Sequence, residues 1–220
     1  MKKYKGVVFD MDGTLLDTLE DMQYSVNLAM KEYGFPMHTL EDIRHFINNG
    51  AYRLIELCLP EDKRDEKTVT EVLGRYLEIY AKDVCIKTHP YDGIEELMKK
   101  LHDGGYKLAV VSNKPDACAK LLSDKFFGDT VIYTSGSGIG LPTKPDKECV
   151  ERAAEHMGLD KEELIFVGDS CVDVLTAHNG GLECVGVTWG FHGANGFGED
   201  VPDYTVGNAN ELYKIITAEK

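Results

Sequence analysis

The sequence predicts an α/β protein: a mostly parallel sheet with helices on both faces, and a helical bundle inserted after the first strand. Three observations carry that expectation. Short continuous apolar runs recur along the 220 residues with helical stripes between them. One stretch, residues 18–84, holds helical stripes and no strand pattern. Carboxylates, a hydroxyl and a lysine follow directly after the apolar runs, and open parallel sheets bind ligands beyond the carboxyl ends of their strands.

The strand candidates are Gly6–Phe9, Leu108–Val111, Thr130–Tyr133, Leu164–Val167, Cys184–Val187 and Tyr204–Val206. Each is rich in β-branched or aromatic residues and lacks polar alternation, as befits strands covered on both faces. After the first of them, Leu19, Met22, Val26, Ala29, Met30 and Tyr33 make an amphipathic stripe. Asp17 or Thr18 is placed to cap it, with Glu20 completing a capping box on Asp17. Shorter helical pieces fall near 40–47 and 51–58, and a second long stripe runs through Val69, Val72, Leu73, Tyr76, Leu77 and Tyr80. Residues 18–84 are therefore expected to form one helical unit, with 1–17 and 85–220 forming the other. Beyond it, Ile94, Leu97, Met98 and Leu101 space as a helix stopped by Gly104-Gly105. Val150, Ala153, Ala154 and Met157 repeat the pattern and stop at Gly158.

Composition narrows the function. There are 24 basic and 38 acidic residues, a formal charge of −14. Residues 18–84 carry 8 basic and 13 acidic side chains and the remainder 16 and 25, so no basic half is hidden. Nucleic acids and anionic membranes both call for a basic face, so neither is expected as a partner. The six cysteines stand far apart without Cys-x-x-Cys spacing, and no signal peptide or membrane-spanning run is evident. Reduced thiols in a cytoplasmic protein are the expectation, with monomer or homodimer left open.

The chemistry follows from what stands after each strand. Gly6–Phe9 runs into Asp10-Met11-Asp12-Gly13-Thr14, Leu108–Val111 into Ser112-Asn113-Lys114, and Leu164–Val167 into Gly168-Asp169-Ser170-Cys171-Val172-Asp173. Lys144-Pro145 stands in a loop before a helix. Carboxylates brought together on one sheet edge call for a hard cation with oxygen ligands, Mg²⁺ foremost. One carboxylate can then attack an electrophile while another moves protons, and phosphorus is the electrophile that a cation, a lysine and a strand-end hydroxyl suit. Ser170 and Asp173 also have capping-box spacing. Lys114 is open between a site residue and a solvated loop lysine. Trp189-Gly190-Phe191 reads as an exposed loop, at most the rim of the site. Gly136-Ser137-Gly138-Ile139-Gly140 lacks the third glycine of the dinucleotide fingerprint and reads as a loop leading to Lys144.

Taken in order, Asp-Met-Asp-Gly-Thr-Leu-Leu-Asp-Thr, Val-Val-Ser-Asn-Lys, Lys-Pro and Gly-Asp-Ser-x-x-Asp resemble the four motifs of the haloacid dehalogenase superfamily of phosphohydrolases, and the helical insert resembles that family's small cap. The resemblance implies a Rossmann-like core and an aspartyl-phosphate mechanism. On it, Asp10 is the nucleophile and Asp12 the general acid and base. Ser112, Asn113 and Lys144 hold the phosphoryl group. Asp10, Asp12 (through its carbonyl) and Asp169 ligate Mg²⁺, and Asp173 acts from behind through water or Lys144.

Within the superfamily, His45-Phe46-Ile47-Asn48-Asn49-Gly50-Ala51 and Gly186-Val187-Thr188-Trp189-Gly190 resemble the phosphoglycolate phosphatases. That implies a small phosphorylated metabolite as substrate, with Asn49 and Arg53 as candidates for contacting its carboxylate or hydroxyl. Two departures bear on the subgroup: Lys144-Pro145-Asp146-Lys147 lacks a second proline, and Gly180-Gly181 replaces an Ala-Gly pair. A β-phosphoglucomutase-like phosphosugar mutase, or a pyrophosphatase or nucleotidase, would use the same scaffold. A receiver-like signalling module would share the aspartates, hydroxyl and lysine but not the helical insert.

Overall fold

The computed structural model describes residues 3–47, 50–83 and 85–218. Its first strand, β1 (Gly6–Phe9), lies inside a six-stranded sheet and is buried at every residue. The chain then makes a two-residue strand, β2 (Leu16–Asp17), and four helices: α1 (Leu19–Glu32), α2 (Leu40–Phe46), α3 (Gly50–Cys58) and α4 (Glu66–Asp83). A second short strand, β3 (His89–Pro90), pairs antiparallel with β2, so the two linkers of the helical segment are zipped together. Two residues are too few for any periodic signal, and this pairing is legible only in three dimensions.

Strands and helices alternate from there on. They are α5 (Ile94–Asp103), β4 (Lys107–Pro115), α6 (Asp116–Phe126), β5 (Tyr133–Ser137), α7 (Glu148–Met157), β6 (Leu164–Gly168), α8 (Cys171–Gly180), β7 (Glu183–Val187), β8 (Tyr204–Val206) and α9 (Ala209–Ile216). The sheet order is β5-β4-β1-β6-β7-β8, every pair parallel. The chain winds outward from β1 through β4 and β5, then returns to the other side of β1 for β6, β7 and β8. Such a reversal opens a crevice at the carboxyl ends of the central strands. Phe9 is in register with both Val110 and Val167, so the residues after β1, β4 and β6 emerge at one level.

Side-chain alternation divides the core into two layers. Val7 and Phe9 pack with Leu97, Leu101, Leu122, Leu212 and Ile216 on one face, while Val8 packs with Val150, Ala153, Val174 and Ala177 on the other. The stripe Ile94, Leu97, Met98 and Leu101 is fully inward, each side chain contributing about 1.5–3 kcal/mol by leaving water. The first layer continues through Met11, Leu15 and Leu19 into the helical segment, whose interior is Val26, Met30, Ile43, Ile55, Val69, Val72 and Tyr76.

Two expectations need correction. The strand expected at Thr130–Tyr133 begins at Tyr133 instead. Thr130 turns back, its N–H and hydroxyl both bonding to the Phe127 carbonyl, and Ile132 is left exposed. The strand proper uses small residues, because a Cβ at Gly136 would lie 2.5 Å from the Asp116 Cα. At α1, the expected capping box on Asp17 does not form. Thr18 is the cap position and its hydroxyl is turned elsewhere, while Asp17 accepts the Leu19 N–H at 3.2 Å. Asp21 ties the return linker instead, accepting the Lys87 and Thr88 N–H groups and the Thr88 hydroxyl at 2.7–3.0 Å.

Candidate active site

Asp10 stands one residue beyond β1, its N–H bonded to Val167 of β6 at 2.9 Å. The chain then folds tightly back: Thr14, Leu15 and Leu16 N–H groups all converge on the Met11 carbonyl. Gly13 makes the turn possible with φ +88°, and it does a second thing. A Cβ there would lie 2.3 Å from Asp169 Oδ2, and one at Gly190 would lie 2.3 Å from the same oxygen. Asp169, just past β6, is thus gripped between two bare backbones, and its Oδ2 also accepts the Phe191 N–H at 3.1 Å.

Lys144 reaches into this group from the loop before α7. Its ammonium lies 2.7 Å from Asp10 Oδ1 and 2.6 Å from Asp173 Oδ1. Asp173, fully buried on α8, takes the Ser170 hydroxyl and N–H on its other oxygen at 2.6 and 3.1 Å, so the capping box and the lysine contact coexist. Asn113 steadies the loop from below: its Oδ1 accepts the Lys144 N–H at 2.8 Å and its Nδ2 donates to the Lys144 carbonyl at 3.1 Å. That leaves one amide N–H of Asn113 for anything else. Ser112, buried at the end of the regular part of β4, accepts the Lys114 N–H at 3.2 Å.

The electrostatics are strained toward a cation. Asp10, Asp169 and Asp173 offer oxygens within 4.8 Å of one another, all buried, with Lys144 the positive charge among them. Burial pushes the Asp10 carboxyl up to about 7, with Lys144 opposing and Asp173 and Asp12 adding to the rise. Asp169 is driven well above the carboxylate range by burial and then by Asp173 and Asp10. Burial would lower Lys144, but Asp10 and Asp173 hold it above the ordinary lysine value. Three buried carboxylates against one ammonium leave negative charge uncompensated, and an all-oxygen donor set fits a hard divalent cation.

Asp12 lies apart from that trio. Its Oδ1 accepts the Thr18 hydroxyl at 2.7 Å, and the Lys114 ammonium bonds both carboxylate oxygens at 2.7 and 3.0 Å. Lys114 is no solvated loop residue: its side chain is 1% exposed and sits 4.7 Å over the Tyr80 ring. Sequence reasoning left this lysine undecided because nothing local marks it; its partner is 102 residues away. The loop Trp189-Gly190-Phe191 also departs from expectation. Phe191 is buried, Trp189 Nε1 donates to the Thr14 carbonyl at 3.0 Å, and Arg44 of α2 reaches the Phe191 carbonyl at 2.9 Å. Phe191 walls the site instead of lying exposed.

Asp10, Asp12, Ser112, Asn113, Lys114 and Lys144 line one cavity of ≈ 80 Å³, closed from the other side by Met22, Ile47, Ala51, Leu54, Tyr76 and Tyr80 of the helical segment and by Phe191. Arg53 does not join it: it is exposed on α3 and ion-paired with Glu56. Asn49 lies outside the described residues.

A parallel α/β sheet that presents a buried carboxylate beside a lysine, a second carboxylate two residues on and a third on the next strand defines an enzyme of the phosphoryl-transfer type. Comparison with known proteins agrees. The haloacid dehalogenase-like hydrolase family matches residues 7–187. A phosphoglycolate phosphatase of Mannheimia succiniciproducens is 32% identical, over 97% of this chain and 99% of its own. One from Haemophilus influenzae is 31% identical over 97% and 99%. The crystal structure of a proposed phosphoglycolate phosphatase from Lactobacillus delbrueckii superposes with a TM-score of 0.91 at 31% identity, covering 100% of both chains. The chain belongs to the haloacid dehalogenase-like hydrolase family, as a phosphatase within it.

Proposed function

We propose that the protein hydrolyses small phosphate monoesters of the phosphoglycolate kind, with Asp10 as the nucleophile. The observation that carries this reading is Asp10 paired to Lys144 at 2.7 Å in a cavity between the sheet edge and the helical segment, with Asp12 held separately by Thr18 and Lys114. Attack and proton transfer thereby fall to two carboxylates with different surroundings. In the first step an Asp10 oxygen bonds to phosphorus as the bond to the leaving oxygen breaks, and Asp12 gives that oxygen a proton. In the second, Asp12 takes a proton from water as the water oxygen bonds to phosphorus and the Asp10 bond breaks. Phosphate leaves and both carboxylates are restored.

Ser112, the spare amide N–H of Asn113 and Lys144 face the phosphoryl oxygens. Asp10, Asp169 and the Asp12 carbonyl would hold Mg²⁺, with Asp173 acting through Lys144. Bound there, Mg²⁺ supplies the positive charge that the buried carboxylates and an incoming phosphate dianion both require. Residues 18–84 act as a cap over the leaving group, and 1–17 with 85–220 as the catalytic core. The cavity is small, ≈ 80 Å³, which suits an ester with a short leaving group. The relatives that bear the name phosphoglycolate phosphatase support the same choice.

All six cysteines are free thiols, which fits the cytoplasm. No helix among the described residues is long and apolar enough to cross a membrane.

A phosphate-release screen over small phosphorylated acids, sugars, nucleotides and pyrophosphate tests the reading. Release is expected to be fastest from phosphoglycolate, abolished by EDTA and restored by Mg²⁺. Turnover indifferent to chelation, or confined to sugar phosphates with the phosphoryl group returned to the sugar, would overturn it.

A further inference from the structure

The loop 189–191 is tied to its surroundings by hydrogen bonds at both ends, and one of them reaches the helical segment. Trp189 Nε1 donates to the Thr14 carbonyl at 3.0 Å and the Phe191 N–H to Asp169 Oδ2 at 3.1 Å, both within the core. The Phe191 carbonyl accepts Arg44 Nη1 of α2 at 2.9 Å, across 147 positions of chain. Phe191 thus meets Asp169 with one backbone group and α2 with the other, and only its own φ and ψ lie between them. Glu41, one turn back on α2, lies 3.3 Å from Arg44 Nε and orients the guanidinium. Thr18 and Asp21 also bond from the helical segment to residues outside it. They stand at the linkers, however, where the two parts are joined wherever α2 lies. Arg44 makes its bond only while α2 rests on the core.

We infer that Arg44 is a positioning residue for the cation seat. Bonded to Phe191, it holds the 189–191 loop so that Asp169 keeps its orientation, and docking of α2 and binding of the cation favour one another. This rests on the reading of Asp169 as an Mg²⁺ ligand. The Phe191 N–H engages Asp169 Oδ2, while Oδ1 is met more loosely, by the Thr14 hydroxyl at 3.5 Å. Holding the loop therefore decides which carboxylate oxygen stays open to a cation. Gly190, whose bare backbone lies against Asp169, has no side chain to restrict the loop, so ties from outside must set its place. The bond from Arg44 is charge-assisted, and Phe191 itself is 5% exposed, so water competes poorly for the carbonyl. Partners that orient a ligating carboxylate govern how well it binds metal. Here the last partner in the line is supplied by the helical segment.

The test follows Mg²⁺ binding without turnover, on the full chain stripped of metal and free of substrate. A cation that binds the folded state raises the thermal midpoint by mass action, so the rise against Mg²⁺ concentration reads the affinity. Arg44→Met is expected to need about tenfold more Mg²⁺ for the same rise, and Arg44→Lys to recover part of the difference. Coupling at equilibrium is reciprocal. Mg²⁺ alone should therefore slow amide hydrogen exchange in residues 40–46 of the unaltered protein and leave it unslowed in Arg44→Met. At saturating Mg²⁺ the kcat of Arg44→Met should return close to that of the unaltered protein. A merely structural arginine would lower the metal-free midpoint and leave the Mg²⁺ dependence where it was. That outcome would overturn the inference, as would equal protection of residues 40–46 by Mg²⁺ in both proteins, and either would leave the phosphatase reading intact. No response of the unaltered protein to Mg²⁺ would overturn the reading of Asp169 as a ligand and the inference with it.

Discussion

The two walls of the cavity are built on opposite plans. The core wall is crowded with charge, much of it held in fixed contacts: Lys144 between Asp10 and Asp173, Asp173 on Ser170, Asp12 on Thr18 and Lys114. The cap wall is helix faces of Met, Ile, Ala and Leu, with two tyrosines as its polar members. The core wall hangs on strand ends that register holds at one level, whereas the cap wall is carried by helices joined to the core through two paired linkers. Groups that must meet a reacting atom within tenths of an ångström belong on the rigid side. Groups that judge the size and polarity of a leaving group can sit on the other.

If that division of labour is right, the largest effect comes from the core wall. Asp10→Asn is expected to lower turnover at least about a thousandfold while the protein stays folded, checked by single-turnover phosphate release. Its stability should respond to pH in a defined sense. Asp10 titrates near 7 when folded, against 3.8 for an ordinary aspartate. Between those values the folded chain binds the extra proton, so stability falls as pH rises through that window. With EDTA present, the thermal midpoint should therefore decline from about pH 4 to pH 7. The decline should be shallower in Asp10→Asn; an equal slope would show that Asp10 is not the group responsible.

A change that touches no reacting group tests how rigid the core wall is. Gly190→Ala would drive a Cβ to 2.3 Å from Asp169 Oδ2 and 2.6 Å from the Gly13 carbonyl. Neither neighbour has room to retreat, so a loss of about 1–3 kcal/mol is expected in urea titration, with a higher Mg²⁺ requirement for activity. Ordinary stability and an unaltered Mg²⁺ requirement would mean that Asp169 is held less tightly than its two glycines suggest.

The smallest effect on rate is expected from the cap. Leu54, 3% exposed on α3, lines the cavity, and Leu54→Ala should cost about 2–5 kcal/mol of cap stability. Turnover of phosphoglycolate should fall little, while KM for esters with bulkier leaving groups should fall. A variant that lost chemistry and gained no bulkier substrate would erase the contrast between the walls.

Much of the core wall is legible in the sequence. The resemblance named Asp10, Asp12, Ser112, Lys144, Asp169 and Asp173, and the structure gathers them at one sheet edge because each follows a strand or precedes a helix. The cap was legible as helices but not as a surface. Arg53 has the chemistry to bind a substrate carboxylate, yet it faces solvent against Glu56. Tyr80 reads in the sequence as one more member of an apolar stripe, and nothing in that stripe says that its hydroxyl is buried without a hydrogen-bond partner among the described residues.

The sequence by itself determined the alternation of strands and helices, the helical insert and the order of the chemical motifs. Periodicity and capping are settled by residues three or four apart, so they can be read in one dimension. Tertiary structure decided which lysine meets Asp12, how Asp169 is gripped, that Phe191 walls the site and that Trp189 ties to the Thr14 carbonyl. Those contacts join residues 102 and 175 positions apart, and one depends on the absence of two side chains at Gly13 and Gly190. Closing such loops costs entropy that local pattern cannot record, and only the packed sheet and its cap supply the contacts that offset it.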